Sequence, residues 1–471
     1  MKTSRPAQVF IAALTILGNA STSHADSPAE AEAREYMRTW EERGREACKD
    51  NERGCAAAGH ALDRAAAAYE RAGKIDKAIA IRKMILDPQW HLDYTDYART
   101  AAFALARNQQ SIALFAEAAQ IIETSVRRFS KSDEAPDALL EAIDLRLGLG
   151  EIDRANEDLE LFSKHYGAKR PLDAARTAVS VGLAFWKYGQ TNEALKLLGS
   201  WMPLIDRQNI HVRMSAHALA GRIHAQGKSR EKAAAEYEIV RSAWVRPDES
   251  VKQIEALGGA ESERSARLTE ALTVLGEAMF FFAEQKRAEV EAIRFPAFNG
   301  SGDKDSILAF INTQASPWLV KKRDAIEAAD REYQKILSIQ PVPPPRWVVA
   351  GAGRVGFLWA DFVADFRRAP TPKEWNSDKP LPNTTMPGPE IKKLYLEQLS
   401  TLSEPLLERS KQAFRFCVER SVKFQWADEH SQACVGWLEK NDRQRWIPVE
   451  EIKSQPVHSP LFVKFAPIVP D

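Results

Sequence analysis

A short pattern that ends one helix and begins the next returns down the first half of the chain. It is clearest at 73–78, where a glycine is followed five positions later by an alanine, and it returns at 150–155 and 189–194. A looser copy lies at 227–233, and a copy without glycine lies at 108–113. Glycine and asparagine accept the left-handed backbone that ends many helices, and a small alanine lets two helices approach closely. The pattern therefore predicts a series of helix-turn-helix units.

The spacing of the turn residues predicts a solenoid of stacked helical hairpins. Successive turn residues are 35, 42, 39 and 38 positions apart. The pattern resembles the tetratricopeptide repeat (TPR), whose period is about 34 residues, with longer helices, as in degenerate TPR or Sel1-like arrays. The residue four before most turns is bulky and the residue seven before is small, with Arg146 and Ile143 as exceptions. The expected fold class is all-α, a right-handed superhelical solenoid of TPR-like hairpins with a carboxy-terminal helical region. The turn residues are Gly73, Asn108, Gly150, Gly189 and Gly227.

Changes in composition divide the chain after its first 25 residues into three parts. Residues 26–245 hold the TPR-like solenoid, and residues 246–389 hold degenerate helical repeats that end in a proline-rich linker. Residues 390–471 hold a helical hairpin and an extended, apolar tail. Six prolines between 370 and 389 predict an extended, poorly structured linker. Pro405 is expected to split or kink the helix that contains it.

Residues 1–25 have the composition of a secretory signal peptide. Lys2 and Arg5 supply a positive start, 9–17 form a short apolar core, and a small-residue cleavage site ends at Ala25. The apolar core is too short to span a bilayer stably. We expect the chain to be exported to the periplasm, cleaved after Ala25, and to have no membrane-spanning segment.

Four cysteines fall in two pairs, which suits an exported protein. Cys48 and Cys55 flank a polar insert, and Cys417 and Cys434 flank a second helix-to-helix connection. Each repeat of a solenoid contacts only its neighbours, so we expect two local disulfides, one within each pair. Four buried free thiols remain the alternative. A zinc site is disfavoured because no CxxC motif or paired histidines accompany the cysteines.

One glycine motif, at 351–356, has the form of a dinucleotide-binding fingerprint. Such a site needs a strand before the motif and an acidic residue about 20 positions on, after a second strand. The sequence has a polyproline run before the motif and no second strand after it. The segment fits a buried helix better, with the glycines as close-packing positions, and we predict no cofactor. The predicted buried stripe comprises Trp347, Val355, Leu358, Phe362 and Phe366.

Other residues that could form an active site or a metal centre are scattered. His217 and His224 are seven positions apart and His211 lies one position off their face, without the i,i+4 spacing or third ligand that a metal needs. GxSxG, P-loop and cysteine–histidine nucleophile patterns are absent from the sequence. We therefore predict no catalytic, cofactor-binding or metal-binding residues. Most of the 12 tryptophans suit helix packing, while a groove for a partner peptide lined by a minority of them stays open.

Both ends of the mature chain resemble a narrower group of proteins. Residues 48–86 are similar to the amino-terminal repeat of large exported TPR proteins of myxobacteria, which include periplasmic members of the gliding-motility machinery. The carboxy-terminal likeness covers 347–370 and 395–438. This chain is short beside the longest members. The resemblance implies a periplasmic scaffold and brings no active-site residues.

The expected function is therefore that of a non-enzymatic scaffold or adaptor that binds other envelope proteins. Lys and Arg total 65 and Asp and Glu total 65, a balance that implies neither a nucleic acid nor an anionic membrane as partner. A small-molecule ligand is not favoured. Two alternatives are an accessory module that presents peptide or peptidoglycan to a separate hydrolase, and an enzyme with an unrecognised site in 246–389.

Overall fold

The computed structural model describes residues 27–50, 52–92, 95–378, 380 and 386–442. The expected signal peptide and the expected apolar tail lie outside these residues. By internal contacts the chain divides into two compact units, one up to Ala142 and one from Ile143. The boundaries that we placed at 245 and 389 stay predictions.

The first unit is built from helical hairpins around an alanine-rich core. Its helices are α1 (Pro28–Thr39), α2 (Arg45–Asp50), α3 (Glu52–Arg71), α4 (Ile75–Leu86), α5 (Asp96–Ser111), α6 (Phe115–Arg128) and the start of α7 (Ala135–Leu149). A π-helical segment, Trp40–Gly44, joins α1 to α2, and a 3-10 turn, Pro88–Trp90, follows α4. Leu62, Ala65 and Ile85 are completely buried in its core.

The second unit begins within α7 and continues through twelve further helices. These are α8 (Ile152–Tyr166), α9 (Pro171–Lys187), α10 (Thr191–Ile205), α11 (Ile210–Gln226), α12 (Arg230–Ser242), α13 (Pro247–Glu255), α14 (Glu261–Ala292), α15 (Lys304–Phe310), α16 (Ser316–Leu337), α17 (Pro345–Arg367), α18 (Gly388–Phe424) and α19 (Glu429–Asn441). A π-helical segment, Ile311–Ala315, joins α15 to α16. Helix α18 continues through Pro405 without interruption, so of the predicted split or kink the split is wrong. The expected all-α architecture of repeated hairpins is confirmed within the described residues.

One turn geometry recurs at five places in the described residues between 73 and 228. In each turn a left-handed residue donates its backbone N–H three residues back, and the next residue donates five residues back, as Lys74 N does to Tyr69 O at 2.9 Å. This is the Schellman arrangement, which satisfies carbonyls at a helix end. The alanine five positions after each left-handed residue has no exposed surface, so each following helix packs closely at the same point. The left-handed residues are Gly73, Ala113, Gly150, Gly189 and Lys228, and the alanines are Ala78, Ala118, Ala155, Ala194 and Ala233.

Two of the predicted turn positions are wrong. Asn108 lies inside α5 and is buried, because its side chain bonds Glu70 at 2.7 Å and Arg82 at 3.0 Å instead of ending the helix. The turn follows at Ala113. At the fifth turn Lys228, not Gly227, takes the left-handed conformation. The corrected spacings are 40, 37, 39 and 39 residues, which is more regular than the sequence pattern suggested.

Arg146, the exception to the predicted pattern of bulky apolar side chains, is nevertheless completely buried. It occupies the position that Tyr69 and Phe185 occupy in other hairpins. Its Nη1 bonds Glu151 Oε2 at 2.5 Å, and Glu151 is the residue that follows the left-handed glycine of its turn. An ion pair across the turn therefore replaces an apolar contact at this position.

The proline-rich segment after α17 is anchored where the structure describes it. A short 3-10 helix, Lys373–Asn376, buries Trp375, whose Nε1 donates to Gly302 O at 3.1 Å. The Trp375 ring also meets Tyr395 of α18, with 5.3 Å between centroids. The prediction of a poorly structured linker is therefore wrong for these residues, because a large aromatic side chain fixes the segment to the second unit.

Helix α17 is the central helix of the carboxy-terminal region and packs against α14, α16, α18 and α19. Among the described residues it alone is long and apolar enough to cross a membrane, and 67% of its apolar window is buried inside the structure. The predicted stripe on this helix is confirmed for Val355, Leu358, Phe362 and Phe366, which are buried, whereas Trp347 is partly exposed.

Candidate functional site

A groove of about 670 Å³ lies between α16 and α18, over α17. Small and branched side chains of α17 form its floor, among them Val348, Gly351 and Val355. The lining spans twelve residues along α16 and its carboxy-terminal cap (327–338) and twelve along α17 (348–359), a length of about 16 Å at a rise of 1.5 Å per residue. The lining residues are Glu327, Asp330, Tyr333, Gln334, Leu337, Ser338, Val348, Gly351, Ala352, Val355, Trp359, Arg409, Gln412, Ala413 and Phe416.

Buried polar contacts hold two of the groove-forming helices against α14. Lys322 of α16 is buried and donates to Val290 O at 3.0 Å and to Ile293 O at 2.9 Å, which satisfies carbonyls at the end of α14. The same Nζ lies 3.5 Å from Asp365 Oδ2 of α17. One lysine therefore fixes α16 and α17 to the same helix end.

A second contact of this kind lies at the groove itself. Tyr333 of α16 donates its hydroxyl to Glu284 of α14, and Arg354 Nε of α17 lies 3.2 Å from the same carboxylate. Burial raises the pKa of Tyr333, and the Glu284 carboxylate adds to this shift. The hydroxyl therefore remains a hydrogen-bond donor, and its role is to position the wall of the groove.

Charged side chains gather at one end of the groove. Arg409 Nη1 bonds Glu327 Oε1 at 3.2 Å, and the Arg409 guanidinium lies 4.8 Å from the centroid of the Trp359 ring. Asp330 accepts a hydrogen bond from Gln334 Nε2 at 3.0 Å. Within the described residues Asp330 has no ion pair, although its neighbour Glu327 has one.

The carboxyl group of Asp330 is partly buried, and this affects its titration. Burial raises the pKa of Asp330, and the nearby Glu327 carboxylate adds to the shift, while the amide of Gln334 and the charges of Arg331 and Arg409 oppose it. A cation brought close to Asp330 would favour the ionised form. The acidic end of the groove is therefore suited to a positively charged group.

The glycine motif at 351–356 lies inside α17, with no strand before it. The interpretation of its glycines as close-packing positions is confirmed, because a Cβ on each of them would press against a different neighbouring helix. The nearest contacts are Tyr333 Cδ1 of α16 at 3.3 Å from Gly351, Cys434 Sγ of α19 at 3.1 Å from Gly353, and Phe414 Cδ1 of α18 at 2.8 Å from Gly356.

Of the two predicted disulfides, the structure contains the one between Cys417 and Cys434. Their Cα atoms lie 6.4 Å apart, and both residues are completely buried beside Gly353. The bridge joins α18 to α19 beneath the central helix. It stabilises the region that carries one wall of the groove and is not part of the groove lining.

The predicted bridge between Cys48 and Cys55 is absent, and both are free, buried thiols. Of the segment between them the structure describes α2 up to Asp50 and α3 from Glu52. Burial and the neighbouring Cys55 thiol, which hydrogen-bonds to Cys48, raise the pKa of Cys48 to about 12. A protonated thiol is a poor nucleophile and a poor metal ligand.

The three histidines considered as metal ligands, His211, His217 and His224, do not come together, and His211 and His217 lie in separate buried contacts. His211 Nε2 bonds Glu270 Oε2 at 2.5 Å, and Ser215 Oγ donates to the other oxygen of Glu270 at 2.7 Å. A catalytic triad requires the serine to contact the histidine, whereas here the carboxylate lies between them and all three side chains are buried. These residues form a structural contact between α11 and α14.

His217 is held between two carboxylates. Its Nδ1 bonds Glu236 Oε2 at 2.6 Å and its Nε2 bonds Asp206 Oδ1 at 2.9 Å. Burial disfavours the charged ring, but the two hydrogen bonds outweigh it and raise the pKa of His217. His224 is half-buried and contributes its backbone carbonyl to the turn at Lys228. Within the described part of the chain, no three metal-ligating side chains come together.

The groove was missed by sequence reasoning, apart from the open possibility that some tryptophans line a peptide groove. Trp359 does line it, whereas Trp40 and Trp375 are core residues. The one available signal was a pair of carboxylates on an otherwise regular helix, Glu327 and Asp330, facing the same side. The gap between α16 and α18 has no local sequence signature.

Comparisons with known proteins identify no family for this chain. No family model and no curated protein sequence matches it. One solved structure, described as Naa15/Naa10 bound to HypK-THB, is similar over 89% of this chain, with 12% sequence identity and a TM-score of 0.31. The chain spans 64% of the length of that matched chain. At this TM-score the likeness carries no argument about function.

Proposed function

We propose that this protein is a non-enzymatic periplasmic adaptor that binds another envelope protein through its TPR-like hairpins. The observation that supports this most is the regular return of one turn geometry every 37 to 40 residues. Arrays of this kind place equivalent side chains at equivalent positions along a surface and commonly use that surface for binding.

Large apolar side chains are exposed at one equivalent position in three of the five turns, directly before the left-handed residue. Leu149 is 42% exposed and Tyr188 is 62% exposed, and Ile112 holds the same position in its own turn. The Tyr188 hydroxyl lies 2.9 Å from where a Cβ on Gly150 would stand, so Tyr188 covers the turn next to Leu149. We call Leu149 and Tyr188 the turn-edge patch. Exposed apolar side chains grouped in this way favour a protein partner.

The polar clusters favour an adaptor over an enzyme. The set that most resembles catalytic machinery, formed by His211, Ser215 and Glu270, is buried and has its carboxylate in the middle. A second buried cluster pairs the Glu277 carboxylate with Arg222 and Tyr237 across helices. Such contacts stabilise helix packing.

Export and a place in envelope or motility assemblies complete the proposal. They rest on the signal-like composition of residues 1–25 and on the resemblance to exported TPR proteins of myxobacteria. The experiment is affinity capture of the tagged full chain from crosslinked envelope extract, read by mass spectrometry. We expect the mature chain to begin at Asp26 and to capture one partner in a fixed ratio.

The variant Leu149→Ser/Tyr188→Ser is expected to lose most of this partner. Val245→Ser is the control, because Val245 is 75% exposed and belongs to none of the five turns. Equal capture by both variants would contradict binding at the turn edge. An intact Met1 in a cytoplasmic fraction would contradict export.

A further inference from the structure

The groove between α16 and α18 has the chemistry of a receptor for a basic peptide. We propose that it binds a short segment of a partner protein that carries a lysine or arginine next to apolar side chains. This site is separate from the turn-edge patch, and the proposal does not depend on binding there.

The charge at the acidic end identifies the group that the ligand brings. Asp330 faces the groove with one amide donor and, within the described residues, no ion pair, although the charges of Arg331 and Arg409 act on it from further away. A half-buried carboxylate loses much of its hydration, and a charge-assisted hydrogen bond from a basic side chain compensates for this. Glu327 lies one turn away and shares its charge with Arg409, which leaves Asp330 as the carboxylate for an incoming cation.

The same end already shows how a guanidinium is bound. Arg409 lies over the Trp359 ring and bonds Glu327, although its side chain is 51% exposed. Aromatic faces attract cations. An incoming basic side chain would bind beside these groups, next to the carboxylate of Glu327 and the ring of Trp359.

The size and the floor of the groove identify the rest of the ligand. A length of about 16 Å matches three turns of helix or about five residues of extended chain. The floor offers apolar contacts from Val348, Val355 and Ala352, and Phe416 adds an aromatic wall. Apolar side chains of a peptide would bury this surface.

The two walls distinguish a peptide from a lipid or a nucleotide. Gln334 on α16 and Gln412 on α18 are exposed amides on opposite walls, and they can donate to and accept from a peptide backbone. An acyl chain has no donor or acceptor that could hydrogen-bond to these amides. An anionic headgroup or a phosphate would be repelled by Asp330 and by Glu327, which already pairs with the arginine of the lining, Arg409.

The test begins with a phage-displayed library of random twelve-residue peptides, panned against the immobilised full chain. We expect recovered sequences to be enriched in lysine or arginine flanked by apolar residues. A labelled copy of the most frequent sequence then serves as the probe for fluorescence polarisation. A library that yields no binder, or binders without a basic residue, overturns the proposal.

Three variants locate the binding. Asp330→Asn is expected to lower the affinity for the probe about 10-fold or more, because a charge-assisted hydrogen bond is lost. Asp324→Asn is the matched control on the same helix, because it also removes one carboxylate but from an exposed position outside the groove. Ala413→Phe fills the groove from α18 and is expected to abolish binding. Equal affinity for Asp330→Asn and Asp324→Asn overturns the proposal.

A measurement on the wild-type chain keeps the test independent of how the variants fold. Hydrogen exchange with the probe bound should slow in 330–338 and in 409–416. Protection in the turns instead would overturn the groove as the binding site. The turn-edge variant Leu149→Ser/Tyr188→Ser should bind the probe normally, so loss of partner capture and loss of peptide binding are separate results.

Discussion

At the scale of single residues, His217 shows how a buried charge is kept in this protein. Its ring is held by Glu236 and Asp206, one at each nitrogen. Only the doubly protonated ring donates to both carboxylates. The contact therefore joins α11 to α12 and to the end of α10 in a way that depends on pH.

The raised pKa of His217 predicts a pH-dependent stability. A group whose pKa is higher in the folded state stabilises the protein fully below its unfolded value, about 6.5 for histidine, and loses this contribution as pH rises through the folded value. We expect His217→Asn to lower the free energy of unfolding by about 1–3 kcal/mol at pH 6 and by less at pH 9. Urea unfolding at both pH values measures this.

His165→Asn is the control for that measurement. His165 is exposed on α8, so its replacement should change the free energy of unfolding little at either pH. A loss in His217→Asn that is the same at pH 6 and pH 9 would show that the ring is neutral in the folded protein.

Gly353 makes a second prediction at this scale. A Cβ there would lie 3.1 Å from Cys434 Sγ and 3.8 Å from Cys417 Sγ, and a buried disulfide cannot easily move aside. We expect Gly353→Ala to destabilise the protein by about 1–2 kcal/mol. Thermal or urea unfolding measures the change.

Gly436→Ala is the matched substitution for Gly353→Ala. Gly436 lies in α19, and nothing stands within 4 Å of a Cβ built on it. Alanine is the better helix former, so this variant should be neutral or more stable. If both alanine variants gain stability, the packing of α17 against the disulfide is looser than the distances indicate.

At the scale of the elements, the five turns share one backbone but not one residue type. Gly73, Gly150 and Gly189 adopt the left-handed conformation freely, whereas Ala113 and Lys228 have φ of 63° and 59°. A left-handed residue other than glycine costs about 1–2 kcal/mol. The alanine and lysine turns are therefore formed against a local backbone preference.

Substitutions at the turns should reverse in sign between the two groups. Ala113→Gly and Lys228→Gly are expected to raise the free energy of unfolding by about 0.5–1 kcal/mol each. Gly73→Ala and Gly189→Ala should lower it by about 1 kcal/mol. Nothing lies within 4 Å of a Cβ at either glycine, so backbone strain is the only cost. Urea unfolding of the four variants tests this, and a destabilised Ala113→Gly would contradict it.

The sequence predicted the elements well where glycine marked the turn. The hairpins at Gly73, Gly150 and Gly189 follow from a residue type that suits a left-handed backbone. The turns at Ala113 and Lys228 were misplaced because tertiary packing, not local preference, determines where those helices end. Asparagine is a residue type that suits a turn, but the Asn108 side chain instead hydrogen-bonds to Glu70 and Arg82 of the preceding hairpin.

At the scale of the whole molecule, the candidate sites were harder to predict than the fold. The groove needs α16 and α18 to stand apart over α17, and its lining comes from 327–338, 348–359 and 409–416. In each segment the apolar lining residues follow the same spacing as core residues. No pattern within one helix shows that a neighbour is missing on one side.

The equivalent turns also define how a chain like this can change in length during evolution. Residues 151–189 begin after one left-handed glycine and end on the next, 39 residues later. Removal or duplication of this segment would again join a left-handed glycine to the residue that starts the next helix. The shortest insertion or deletion that preserves every helix end is therefore a whole hairpin of 39 residues. Related chains can gain or lose binding surface by one hairpin at a time.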